Sequence, residues 1–190
     1  MASSYKIEIP EPRLSKFLFA DSRLGWLWFV ARVYVGYQWL SAGWEKVSGG
    51  GWIGPHAGAA LRGFLAGALA QESGAHPNVS VWYGWYLANV VVPHAALFAN
   101  VVAFGEVAAG VALILGAFTG IAAFAGAFMN LNYLFAGTVS INPLLLVIEL
   151  FLILAWRSAG WLGFDRWLLP WLGVPWQPGK AFDGTKAARA

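Results

Sequence analysis

The stretch EVAAGVALILGAFTGIAAFAGAFMNLNYLFAGTVSINPLLLVIE, residues 106–149, is the strongest indication of how this 190-residue chain folds. Between Glu106 and Glu149 it contains 42 consecutive residues without Asp, Glu, Lys or Arg. One helical crossing of a bilayer takes about 20 apolar residues, so the stretch is long enough for about two crossings. Each glutamate lies inside an apolar segment, 97–116 or 143–160. Because an ionised carboxylate in hydrocarbon costs about 3 kcal/mol, both glutamates are candidate functional residues.

The composition of the whole chain also favours a membrane protein. Hydrophobic residues make up 59% of the sequence and charged residues 11%, whereas soluble domains carry about 25% charged residues. The 12 Trp and 23 Gly are typical of membrane interfaces and of close helix contacts. The net charge of +3 comes from basic residues clustered in the two tails, so nucleic acid is not a predicted partner. The absence of Cys excludes thiol redox chemistry and cysteine-bound metal centres.

We predict an all-α integral membrane protein with a single domain, residues 1–190, folded as a four-helix up-down bundle. The links after the second and third spans are short, and short links make consecutive helices antiparallel neighbours. The predicted spans are residues 24–47, 97–116, 119–137 and 143–160. The remaining parts are cytoplasmic tails, residues 1–23 and 161–190, and an external connection, residues 48–96.

The connection between the first two spans contains two further helical segments, residues 57–71 and 79–92. Both are too short or too interrupted by Pro and Gly to be predicted crossings. We expect them to lie at the membrane interface or to re-enter over one mouth of the bundle. A fifth span formed by residues 79–92 is the alternative.

The distribution of Lys and Arg predicts the orientation in a prokaryotic-type cell membrane. The connection offers Arg62, with Lys46 at its start. The tails are richer in basic residues, namely Lys6, Arg13, Lys16 and Arg23 on one side and Arg157, Arg166, Lys180, Lys186 and Arg189 on the other. Both termini are therefore predicted to be cytoplasmic. The Trp-rich run 161–176 is expected to bind the membrane interface.

The first span places two cations and two glycines on one helix face. Arg32, Gly36, Gly43 and Lys46 stand at offsets of 0, 4, 11 and 14. Glycine on this face lets a neighbouring helix or a flat ligand come close. Arg32 needs an anion, for which Glu106 and Glu149 are candidates. Two interpretations stay open, a structural ion pair and a proton-handling or anion-binding site.

The third span adds amides to this set of buried polar groups. Asn130 shares a helix face with Gly126 and Gly137, whereas Asn132 lies off that face. Asn130 can donate to a carbonyl oxygen of a lipid-soluble ligand or bond to a facing helix. One polar group from each of four spans predicts a shared polar centre formed by Arg32, Glu106, Asn130 and Glu149.

The three histidines do not form a metal site in the sequence. His56, His76 and His94 all lie in the connection, and none is paired at the spacing of a helical metal site. We therefore expect no bound metal and no haem.

Several motifs together resemble the DoxX/DoxD family of membrane proteins. They are RVYVG at 32–36, SAGWEK at 41–46, GEVAAGVALILG at 105–116, NLNYLFAG at 130–137, Asn142-Pro143 and GWLGFDRWL at 160–168. The long connection is similar to the DoxD branch, described as the small or fused subunit of thiosulfate:quinone oxidoreductase. The resemblance implies a four-helix membrane protein that hands electrons from a sulfur anion, or from a partner subunit, to quinone.

We therefore predict a membrane subunit of a quinone-reducing oxidoreductase that oxidises thiosulfate or a related sulfur anion. The quinone is its substrate, and the ring is expected near Glu106 and Asn130. Arg32 or Lys46 would hold the anion, and a buried glutamate would carry protons. The predicted catalytic residues are Glu106, Glu149 and Arg32, and the predicted substrate- or quinone-binding residues are Asn130, Asn132, Lys46, Gly36 and Gly43.

The predicted partners are the lipid bilayer, a quinone, a second oxidoreductase subunit and further copies of this chain. One alternative function is a non-catalytic membrane anchor for a soluble redox partner, which would dock on the C-terminal Trp surface and on Asp165 and Arg166. Another is a small carrier whose binding site is the polar centre.

Overall fold

A computed structural model describes residues 11–173 of the chain, and within that part the protein is all helical. The eight α-helices of the described residues are α1 (Arg13–Ala20), α2 (Gly25–Ser48), α3 (Ala59–Ala70), α4 (Val81–Tyr86), α5 (Ala95–Leu115), α6 (Thr119–Phe135), α7 (Asn142–Leu154) and α8 (Asp165–Leu172). The all-α prediction is confirmed. The basic residues Lys6, Lys180, Lys186 and Arg189, together with Trp176, lie outside the described residues.

The four long helices pack around a common core. Helix α2 packs against α5 and α7, and α6 packs against the same two helices. The core between them includes Val35, Trp39, Leu113 and Leu152, whose side chains are all buried. Many outward-facing side chains on the same helices are large and apolar, Val101 among them. The helices therefore have an apolar exterior as well as an apolar core.

The same four helices define two ends of the molecule. Ser48, Ala95, Phe135 and Asn142 mark one end, which we call the cap end. The opposite end carries α1 and α8, and we call it the tail end. The α5–α6 turn lies at the tail end, where Gly116 has a left-handed φ of 66° that ends α5.

The predicted fourth span is longer than the helix that forms. Helix α7 ends at Leu154, and residues 155–164 form turns, although the apolar composition continues to residue 160. The turns bring the amides of Phe164 and Asp165 to the carbonyls of Leu115 and Gly116, at 3.2 and 2.8 Å. Tertiary hydrogen bonds at the tail end therefore stop the helix before its apolar run is finished.

The connection folds into what we call the cap segment, residues 51–92. It contains α3, α4 and a π-helical continuation, Leu87–Val91, and it packs on the cap end of α5 and α6. Leu65, Tyr83 and Ala99 belong to this second apolar cluster. The two helical segments predicted in the connection are confirmed.

Only one helix of the described part, α5, is long and apolar enough to cross a membrane by those criteria alone. Helix α7 is apolar but shorter, with 13 residues. Helices α2 and α6, and α4 with its continuation, do not meet the criteria, so the alternative of a fifth span formed by residues 79–92 also stays untested. The four predicted crossings stay a prediction.

Candidate functional site

The first buried carboxylate, Glu106, is held by side chains from two other helices. Lys46 Nζ of α2 donates to Glu106 Oε2 at 2.7 Å, and the Tyr133 hydroxyl of α6 donates to Glu106 Oε1 at 2.5 Å. Glu106 is 0% exposed. A charge so deeply buried is stable only when it is both paired and hydrogen-bonded, and here both carboxylate oxygens have a donor. We call Lys46, Glu106 and Tyr133 the Glu106 network.

Close packing of α2 on α5 places the two charges side by side. A β-carbon at position 43 would lie 2.7 Å from the Val107 amide nitrogen and 2.9 Å from Glu106 Cβ. Because Gly43 lacks that carbon, α2 can approach α5 at the level of Glu106. Lys46 follows three residues later on the same helix face, so its ammonium reaches the carboxylate.

The second buried carboxylate, Glu149, has uncharged partners. Trp39 Nε1 donates to Glu149 Oε1, and Asn130 Nδ2 donates to Glu149 Oε2, both at 2.5 Å. A β-carbon at Gly126 would lie 2.7 Å from Trp39 Nε1, so that glycine makes room for the contact. The Asn130 Oδ1 atom is buried without a hydrogen-bond partner. We call Trp39, Asn130 and Glu149 the Glu149 network.

The two networks are neighbours. The Trp39 and Tyr133 rings are stacked, with centroids 6.4 Å apart. Asn130 and Tyr133 stand three residues apart on α6 and therefore share a face. Glu149 lies in the middle of α7, and the Glu106 network extends from the middle of α5 to the cap end.

The expected pairing of Arg32 with Glu106 or Glu149 is wrong. Its Nη1 donates to the carbonyls of Leu113 and Ile114, and its Nη2 to the carbonyl of Leu162, all at 2.6 Å. The last carbonyls of a helix have no intrahelical partner and carry partial negative charge. The Arg32 side chain extends from α2 to the C-terminal end of α5 and donates hydrogen bonds to those carbonyls. Arg32 is 1% exposed.

Asp165 binds the free backbone amides at the start of α6, as Arg32 binds the free carbonyls at the end of α5. Its carboxylate accepts hydrogen bonds from the amides of Phe118 at 2.6 Å and Thr119 at 2.9 Å. Asp165 is buried, so it is not part of an exposed docking surface, and that part of the anchor prediction is wrong. Arg166 is exposed and lies over the Trp161 ring, with Cζ 5.2 Å from the ring centroid.

The predicted glycines and the second amide occupy structural contacts. A β-carbon at Gly36 would lie 2.9 Å from the Gly110 carbonyl oxygen, so Gly36, like Gly43, is covered by α5. Asn132 accepts a hydrogen bond from the Tyr83 hydroxyl at 3.0 Å and donates to the Phe128 carbonyl at 2.8 Å. Asn132 therefore ties the cap segment to α6. The single predicted polar centre is replaced by two networks and a separate Arg32.

An apolar cavity of about 330 Å³ lies between the cap segment and helices α5 and α6. Tyr133 is part of its wall, so the cavity adjoins the Glu106 network. Phe64 packs edge-on against the Tyr133 ring at 6.1 Å between centroids and also lines the cavity. Val101 and Phe128 line it as well and are each 61% exposed, which places the cavity just below the apolar outer surface. We call it the cap cavity.

Sequence reasoning missed Tyr133 and Trp39, although a pattern for both exists. Tyr133 lies in the NLNYLFAG motif on the face of Asn130. Trp39 lies on the same α2 face as Gly43 and Lys46, at offsets of 4 and 7. Spacing gives the helix face of an aromatic residue but not the partner of its indole N–H or phenol O–H, which depends on the tertiary packing.

Within residues 11–173 no three His, Asp or Glu side chains come together as a possible metal site. The expectation of no metal and no haem stays a prediction.

Comparison with known proteins gives one family. The family model described as "TQO small subunit DoxD" matches residues 26–176. No curated protein and no solved structure matches the chain. The DoxD family is membrane-associated and implies a membrane subunit of a thiosulfate:quinone oxidoreductase-like complex, with other oxidoreductase subunits as partners. Since the match covers most of the sequence, the chain belongs to the DoxD family.

Proposed function

We propose that this protein is the quinone-reducing membrane subunit of its complex and that the quinone ring binds in the cap cavity. One observation carries the proposal. An apolar cavity below the outer surface has Tyr133 in its wall, and the Tyr133 hydroxyl is bonded to a buried glutamate that is paired with a lysine.

The cavity suits a flat ring with an apolar tail. Binding pockets for small molecules have volumes of about 300–1,000 Å³ and mostly apolar walls, with few polar groups to orient the ligand. The cap cavity, about 330 Å³, lies at the lower end of that range and takes a ring rather than a whole tailed quinone. The tail would leave past Val101 and Phe128 into lipid.

The Glu106 network supplies protons to the quinone ring in the cap cavity. Reduction of a quinone to a quinol adds two electrons and two protons. We assign to Tyr133 the donation of a proton to a quinone oxygen, and to Glu106 the return of a proton to Tyr133. Lys46 balances the charge of Glu106 while the carboxylate is ionised.

We assign the source of the electrons to the sulfur anion and not to side chains of the two networks. Two thiosulfate ions release two electrons when they join through a new S–S bond, and this matches the two electrons of one quinone. We assign this oxidation to thiosulfate or a related sulfur anion acting with a partner subunit. Glu149 and Asn130 stay candidates for a second proton-handling group because their network adjoins Tyr133 through Trp39.

We also propose that α2, α5, α6 and α7 cross the membrane with both termini cytoplasmic and the cap segment outside. The apolar exterior of the four helices and their mutual packing support this arrangement.

The chain has no Cys, so single Cys substitutions at Arg62 and Lys16 test this topology with an impermeant maleimide. Labelling of both positions from the same side of intact vesicles would refute the topology.

The anchor alternative keeps one supporting observation. Helix α8 exposes Trp167 and Trp171, and Phe164 just before it is exposed as well. Such residues favour a membrane interface or a partner surface. An anchor requires neither the cap cavity nor the Glu106 network, and this difference separates the two functions.

The test uses the whole complex in nanodiscs with bound ubiquinone or menaquinone. Thiosulfate should change the quinone absorbance to that of the quinol. In the variant Glu106→Gln we expect turnover to fall by about 10²-fold or more, since a positioned acid or base contributes that much. Glu45→Gln is the matched control because Glu45 is exposed on the same end of α2.

Two outcomes would contradict the proposal. A fully active Glu106→Gln complex would remove Glu106 from the proton route. A Glu106→Gln protein that does not fold, combined with a fully active Tyr133→Phe variant, would favour a structural ion pair.

A further inference from the structure

We infer that the protons for quinone reduction enter at the cap end through Lys46, so that they are taken from the aqueous phase on the side of the cap segment. This inference rests on the proposed function, because it concerns the protons of that reaction. Neither the cavity nor the family assignment defines the side of the membrane from which the protons come.

Of the three network residues, Glu106 is the most deeply buried. The Lys46 side chain is 17% exposed, and that of Glu106 is 1% exposed. Tyr133 is half-buried and belongs to the cavity wall. Glu106 therefore lies between a residue that reaches the surface at the cap end and a residue that reaches the cavity.

The surroundings of Lys46 keep its ammonium at this position. Nζ lies 5.1 Å from the Trp52 ring centroid and 5.9 Å from that of Tyr133, and it also contacts the Ala42 carbonyl at 3.4 Å. Aromatic faces attract a cation without taking its proton. Among the bonds of the described residues, Glu106 is thus the acceptor to which Lys46 can deliver a proton.

The tail end offers no equivalent entry among the described residues. Arg32 donates to the carbonyls that end α5, and Asp165 accepts from the amides that begin α6. Val35 and Leu113, each 0% exposed, lie in the core between these groups and Glu106. Charges bonded to helix-end backbone stay in place, because moving them leaves backbone groups unpaired.

The Glu149 network does not provide a second entry either. Its carboxylate is bonded to the Trp39 indole and the Asn130 amide, and neither group exchanges a proton near neutral pH. Of the two buried carboxylates, Glu106 is the one with a titratable partner that reaches the surface.

In each of two steps, one proton and one electron reach the quinone. The Tyr133 O–H bond breaks as a new O–H bond forms on the quinone, which accepts one electron per proton from the sulfur anion through the partner subunit. Glu106 returns a proton to Tyr133, Lys46 returns one to Glu106, and water at the cap end returns one to Lys46. The products of two such steps are one quinol and the oxidised sulfur anion.

Proteoliposomes of the complete complex test the direction. Labelling of an Arg62→Cys variant by impermeant maleimide identifies the fraction with the cap segment outward. Quinone reduction starts on addition of thiosulfate, and pH dyes report on each side of the membrane. Joining two thiosulfates releases no proton, so the pH change reports on quinone alone.

For vesicles with the cap segment outward, we expect about two protons per quinol to disappear from the external medium, with no matching internal change. Internal alkalinisation during normal quinone reduction would overturn the inference and leave the proposed function intact. Failure to reduce any quinone would overturn both.

Variants of Lys46 add a second test. We expect Lys46→Gln and Lys46→Arg each to slow proton uptake and quinone reduction together by about 10-fold or more, because glutamine has no acidic proton to deliver and a guanidinium does not give up its proton in proteins. Lys16→Gln, at an exposed position of the tail end, is the control. Full-rate uptake from the cap side by either variant would overturn the route. Lys46→Arg keeps the positive charge beside Glu106, so the test stays valid if Lys46→Gln does not accumulate.

Discussion

The two ends of this molecule stabilise buried charge in different ways. At the tail end, Arg32 and Asp165 bond to backbone groups that terminate or begin helices. Toward the cap end, Glu106 bonds to the side chains of Lys46 and Tyr133, and Tyr133 lines the cap cavity. Helix-end amides and carbonyls need partners in any case, so charges that serve them are structural. Charges bonded to titratable side chains beside a cavity can take part in chemistry.

The largest expected effect tests the structural end. Arg32→Gln leaves α5 carbonyls without their charged donor, and we expect it to lower the free energy of unfolding by about 3 kcal/mol or more, or to prevent accumulation of the protein. Thermal unfolding in detergent measures this. Any protein that does fold should reduce quinone at a normal rate per molecule. A stable Arg32→Gln protein with lost turnover would show that Arg32 takes part in the reaction and that the tail end is not purely structural.

The next effect tests the chemical end. Tyr133→Phe keeps the ring that packs on Trp39 and Phe64 but removes the hydroxyl that donates to Glu106. We expect turnover to fall by about 10²-fold while the free energy of unfolding falls by about 1.5–3 kcal/mol, the range for a hydrogen bond to a charged group. Steady-state quinone reduction and thermal unfolding on one preparation give both values. A large loss of stability with unchanged turnover would assign the network to the fold.

A smaller effect is expected at the helix α6 start. Asp165→Asn retains an oxygen that can accept one amide hydrogen bond but loses the negative charge at the helix N-terminus. We expect a loss of about 1–2 kcal/mol of unfolding free energy and unchanged turnover per folded molecule. Chemical unfolding in detergent is the measurement. A neutral substitution would show that the contacts of Phe118 and Thr119 are not needed to hold α8.

The smallest effect is expected at Glu149, the buried glutamate with uncharged partners. Glu149→Gln introduces an amide next to Asn130, whose Oδ1 has no partner and can accept it after rotation of the Asn130 amide. We expect a stability loss below about 1 kcal/mol, in the range of one net hydrogen bond. Thermal unfolding beside Glu106→Gln measures the difference. A loss above that of Glu106→Gln would mean that Glu149 is a needed charge rather than an acceptor.

Much of the helical architecture was predictable from the pattern of apolar and charged residues. Helix α2 was expected at residues 24–47 and forms at Gly25–Ser48, and α6 was expected to begin at residue 119 and does. Long apolar runs bounded by Gly, Asn and Pro leave the backbone few alternatives, because its amides must bond within the segment. The fourth segment was the exception, since tertiary bonds at the tail end stop α7 at Leu154.

Composition and spacing alone were enough to predict that this protein is helical, that it buries ionisable groups and that the glycines on one face of α2 permit a close approach by a helix or a ligand. These are properties of segments, which local chemistry governs. The partner of each buried charge depended on the three-dimensional packing, because residues more than 60 positions apart meet, such as Arg32 with Leu113. The cap cavity, with Tyr133 in its wall, likewise depends on the packing of the cap segment against α5 and α6.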